Sequence, residues 1–160
     1  MTFSLMTAEL RRELASNMPQ IRTLLKKSPA TAFTTINEIA SRVGSKYGLT
    51  LSLNFPQRGK IDDFEAYGTE NLGMVFSRNS RRFPIPRDII KSKASEILEN
   101  PQVADAYMYE GKEGVRVTAG QTRLDILPSS LHIWGKFDPK TSKFCDWLLE
   151  NCYRQGTSVG

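Results

Sequence analysis

Residues 103–134 read VADAYMYEGKEGVRVTAGQTRLDILPSSLHIW. Apolar and polar side chains alternate through four short runs, 103–109, 115–118, 122–127 and 131–134. A period of two is the mark of a strand with one buried and one wet face. Gly111 with Gly114, Ala119-Gly120 and Pro128-Ser129-Ser130 punctuate the runs. Short strands joined by short turns pair with their sequence neighbours, so the stretch predicts an antiparallel meander.

Working outward, the period changes. Downstream, Asp138-Pro139 reads as a cap and first helical residue, with Phe144, Trp147, Leu148 and Cys152 forming an apolar face. Upstream, a helix over about 86–100 turns Ile90, Ala94, Ile97 and Leu98 inward and stops at Asn100-Pro101. Before it, Leu49, Leu51, Leu53 and Phe55 alternate with polar residues up to Pro56, a clear strand, and Leu72, Met74 and Phe76 mark a second. Leu10, Leu14, Met18, Ile21 and Leu25 lie at helical spacing from a start near Thr7. Pro19 predicts a kink or break after Asn17, which would cap the following piece. Ser28-Pro29 opens a further helix carrying Phe33, Ile36, Ala40, Val43 and Tyr47, ended by Gly48.

The expected fold is therefore α+β. Two N-terminal helices, one central and one C-terminal helix cover a mostly antiparallel sheet of about five or six strands. No linker or repeat divides residues 1–160, which are expected to form a single domain with loose ends at 1–6 and 155–160. Apolar content of 39% and charged content of 24% are those of a globular chain, and no apolar run reaches membrane-spanning length. The N-terminus lacks a signal-peptide pattern, and Glu9 and Glu13 argue against a transit peptide, so a cytoplasmic location is expected. Cys145 and Cys152 fall seven residues apart on one helix. That places them about 10 Å apart, too far for a disulfide, and reduced thiols are expected.

Net charge is +5, distributed in blocks. Residues 1–60 carry nine bases and three acids; residues 61–77 four acids and no base. Residues 78–93 carry six bases, Arg78, Arg81, Arg82, Arg87, Lys91 and Lys93, against the single acid Asp88. Residues 94–114 return to five acids and one base. Guanidinium groups make planar, bidentate contacts to phosphate, so the Arg78–Lys93 segment is the candidate nucleic-acid-binding site. Pro84 and Pro86 make its middle an extended strap, with Phe83 and Ile85 as anchors. The same charges would serve equally in ion pairs with acids of this chain, of another copy or of an acidic protein partner.

Other chemistry finds little material. Thr35–Gly44 resembles the first helix and turn of a helix-turn-helix, yet a strand begins where the second helix should lie, so helix packing is the better reading. His132 is the only histidine and sits on a strand between Leu131 and Ile133, a sheet-face residue with one hydrogen bond rather than a base. Two cysteines and one histidine do not build a zinc site. Asp62, Asp63, Glu65 and Glu70 would suit a divalent cation for nuclease chemistry, but no lysine-bearing motif completes the set. No glycine-rich phosphate loop is present. The expectation is a non-enzymatic protein without cofactor or metal that binds DNA or RNA, or else a subunit that self-assembles through alternating basic and acidic surfaces. No membrane association is expected.

Overall fold

A computed structural model describes residues 2–54, 73–77, 87–109, 111–127, 130–135 and 138–152. In chain order these form α1 (Thr2–Ser16), α2 (Met18–Lys27), α3 (Pro29–Lys46), β1 (Thr50–Asn54), β2 (Gly73–Ser77), α4 (Arg87–Ile97), β3 (Gln102–Tyr109), β4 (Lys112–Ala119), β5 (Thr122–Ile126), β6 (Ser130–Gly135) and α5 (Pro139–Asn151). The architecture is α+β, as the alternation of residues 103–134 requires.

All pairings in the sheet are antiparallel, in the order β1-β2-β6-β5-β4-β3. The meander β3 to β6 follows the predicted turns, and the β1–β2 hairpin adds to it through β2 and β6. Register explains the fit. Met74 and Phe76 pair with Ile133 and Leu131, so the apolar positions of β2 fall level with those of β6. Val115, Val117, Leu124, Ile126, Leu131 and Ile133 are buried, with Leu51 and Leu53 of β1 on the same face. Residues from all five helices join them in one hydrophobic cluster. The helices therefore cover that face, and Arg116, Thr118, Arg123, Asp125, His132 and Trp134 lie on the other.

The N-terminal region departs from expectation in two ways. Helix begins at Thr2 rather than near Thr7, and residues 2–6 are no loose end: Phe3 and Met6 are fully buried. The first turn is held by α5, where Asp146 accepts hydrogen bonds from the Ser4 backbone N–H at 2.9 Å and from the Ser4 hydroxyl. The break near Asn17 does occur and yields a third N-terminal helix, with Pro19 in the first turn of α2. Asn17 does not cap it. Its side chain donates back to the Glu13 carbonyl at 2.8 Å, closing α1 instead. Residues 155–160 lie outside the described residues.

Gly44 sits inside α3, which runs through the supposed helix-turn-helix turn to Lys46. A Cβ there would come 2.7 Å from Leu51 Cβ and 3.0 Å from the Leu49 carbonyl, so its role is to let α3 approach β1. Asp138 caps α5 as expected, accepting from the Thr141 N–H at 2.7 Å. That bond holds the Asp138 carboxyl below its usual 3.8. Asp138→Ala is expected to lower stability by about 1 kcal/mol at neutral pH. A depressed carboxylate pKa gives stability above the unfolded value that is lost as pH falls through the folded one. Urea melts at pH 7 and pH 3 should therefore show the gap between wild type and variant closing in acid.

Candidate nucleic-acid interface

Of the six bases in the predicted site, Arg78, Arg81 and Arg82 lie outside the described residues, as do Phe83 and Ile85 and the acids of 61–70. The other three share α4. Arg87 pairs with Glu113 on β4, and Lys93 pairs with Glu96 at 3.4 Å while its Nζ stands 6.0 Å from the Trp147 ring centroid on α5. Lys91 is exposed, with no ion pair among the described residues. Lys140 and Glu99 add a contact at 3.8 Å. The basic block and the acidic block that follows it thus meet within one chain. Such surface pairs contribute about 0–1 kcal/mol each and give way readily to a phosphate.

Where the strap starts and ends is described. β2 ends at Ser77, opposite Ser130, and α4 opens at Arg87 beside Glu113. Ile126 links the two places, pairing with Leu131 on one side and Val115 on the other. Both ends of 78–86 therefore sit at the same end of the sheet. The basic residues of α2 do not join them. Helix neighbours run α2, α3, α1, α5, α4, so Arg22 and Lys26 stand across the helical layer from Lys91.

The other sheet face, uncovered among the described residues, holds a second group of cations that the reading of charge runs passed over. Arg116, Asp125 and His132 form one cross-strand row, and Thr118, Arg123 and Trp134 the next. Asp125 is the centre of this arrangement, its side chain 4% exposed. It accepts from Arg116 Nε at 2.7 Å and Nη2 at 3.3 Å, and lies 3.6 Å from Arg123 Nε. Its hydrogen bond keeps the Arg116 guanidinium firmly charged by raising its pKa further. A buried carboxylate needs such partners, and in turn its two hydrogen bonds fix the Arg116 guanidinium in place. Both arginines lie by an aromatic ring: Arg116 Cζ 4.2 Å from the Tyr107 centroid, Arg123 Cζ 5.6 Å from that of Trp134. Their side chains remain 34% and 43% exposed, so the charges face water. Arg116, Arg123 and Asp125 together carry one net positive charge.

His132 lies on this face as predicted, with Ser130 Oγ 3.3 Å from its Nε2. Among the described residues no three His, Cys, Asp or Glu side chains gather as metal ligands, and no helix is long and apolar enough to cross a membrane. Both cysteines are free thiols. Burial raises the Cys145 pKa far above its usual value and pushes Cys152 up to about 11, which suppresses the reactive thiolate. A scan against protein families and searches of curated proteins and solved structures find no match to this chain.

Proposed function

We propose that this chain binds nucleic acid without catalysing a reaction on it. Arg78, Arg81, Arg82 and Lys91 contact the phosphate backbone, and Arg87 and Lys93 exchange their carboxylate partners for phosphate on binding. The observation that supports this reading is that residues 77 and 87, which bracket the arginine-rich segment, both lie at one end of the sheet. The segment with three arginines springs from the end of the sheet whose uncovered face holds Arg116 and Arg123 against aromatic rings. A polyanion running from that end along the strands toward the Arg123–Trp134 row would meet both, and salt would weaken the contact through counterion return.

The test is the double variant Arg81→Glu/Arg82→Glu. Its fold, read by circular dichroism, should match wild type. Affinity for a 20-residue oligonucleotide should fall at least ten-fold in about 0.1 M salt. The slope of log affinity against log salt should flatten by about 1.4–1.8, the share of two phosphate contacts. Unchanged binding would remove the reading.

A second reading, assembly between copies, is favoured by β3. It is an eight-residue strand at the sheet's edge with Met108 61% exposed, a surface able to pair with another strand. Sedimentation distinguishes the two: a larger species without nucleic acid supports assembly, and a monomer at all salt concentrations speaks for the first reading.

A further inference from the structure

Resting on the nucleic-acid reading, we infer that the uncovered face of the sheet is a platform for unpaired bases, centred on Arg123 and Trp134, so that the ligand is single-stranded. Width decides first. Six strands at about 4.8 Å spacing make a surface about 24 Å across, twice the roughly 12 Å of a duplex major groove. Such a face cannot enter the groove to read base edges. It can receive bases splayed from a single strand, which stack on aromatic rings and on guanidinium planes.

The residues meet that need. Arg123 and Trp134 are cross-strand partners on β5 and β6, and Arg116 and Tyr107 form a second guanidinium–ring pair. Asp125 holds Arg116 by two hydrogen bonds, so one stacking plane is set before ligand arrives and little order has to be created on binding. Beside Trp134 lies an open hollow of about 350 Å³, with Thr118, Gln121 and Arg123 among its walls. Trp134 Nε1 and Arg123 Nε are shielded from water and make no hydrogen bond, Asp125 standing 3.6 Å from the latter, so a ligand here would use the ring and guanidinium faces rather than these atoms. A neutral sugar would also lie on an indole but would leave the surrounding cations unused.

Fluorescence anisotropy with labelled dT20 and a 20-base-pair duplex, in about 0.1 M salt, tests this. The single strand should bind at least ten-fold more tightly than the duplex. Trp134→Leu and Arg123→Gln should each weaken dT20 about ten-fold, whereas Trp134→Phe, which keeps an aromatic face, stays within about three-fold of wild type. In a Trp147→Phe background, dT20 should quench the remaining tryptophan, and thermal melts establish that each variant is folded. Should Trp134→Leu leave dT20 affinity intact while Arg81→Glu/Arg82→Glu destroys it, or should duplex bind as tightly as single strand, the platform is wrong and the backbone-binding reading stands. No binding of either oligonucleotide by wild type overturns both.

Discussion

A chain lacking residues 1–6 is expected to lose its cooperative thermal transition. The deletion removes Phe3 and Met6, both fully buried, and the Ser4 groups that bond Asp146. Emptying a buried phenylalanine site costs about 3–5 kcal/mol and a methionine site about 2–5. Together that approaches the whole net stability of a domain, about 5–15 kcal/mol. A gentler probe is Phe3→Ala, which should lower the melting temperature by about 6–20 °C at this chain length. Calorimetry decides. A truncated protein that melts like wild type would mean that the first turns of α1 are not docked on α5.

That region also shows what one-dimensional reading misses. The first turn of a helix is usually announced by a nearby Ser, Thr, Asp or Asn whose side chain takes the free N–H groups. Here the acceptor is Asp146, 142 residues away. With no local start signal, residues 2–6 read as tail, although Phe3, Met6 and Leu10 already carried the helical period. Asn17 failed in the opposite sense: its residue type and position suited a cap, but its amide found a carbonyl in the turn behind it. Asp138 succeeded because cap, proline and apolar face all lay within a few residues. The meander was legible for the same reason, since each strand pairs with the next. The joining of β2 to β6 was not, as it spans more than fifty residues and depends on matching two apolar patterns in space.

The same limit applies to the candidate site. A dense run such as Arg78–Lys93 stands out along the chain, yet Arg87 and Lys93 turn out to have acidic partners in this molecule. Arg116 and Arg123 drew no notice because neither belongs to a run of like charges. Their signal was present in the alternation itself: the residues out of phase with Val117, Leu124 and Ile133 are the ones on the wet face, and they include both arginines, His132 and Trp134. That an arginine lies opposite a tryptophan, and that Asp125 is buried beneath two guanidinium groups, needs the register of three strands.

Gly135→Ala should be the most damaging single change near that face, by about 2–5 kcal/mol. Gly135 ends β6 next to Trp134 with φ at +106°, a backbone conformation hostile to any side chain. A Cβ would collide with the Gln121 carbonyl oxygen and come 2.9 Å from the carbonyl carbon, both backbone atoms of the β4–β5 turn that no rotamer change can move. The conformational part is about 1–2 kcal/mol and the forced displacement about 1–3. Gly120, in the same turn, separates the two. Its φ is +58°, and nothing lies within 4 Å of the position a Cβ would take, so Gly120→Ala should show only the smaller effect. The displacement also falls on the wall of the hollow beside Trp134. Gly135→Ala should therefore change the emission of Trp134 at temperatures where the protein is still folded, and Gly120→Ala should not. Equal melting temperatures for the two variants would show that β6 and the turn do not approach as closely as this packing requires.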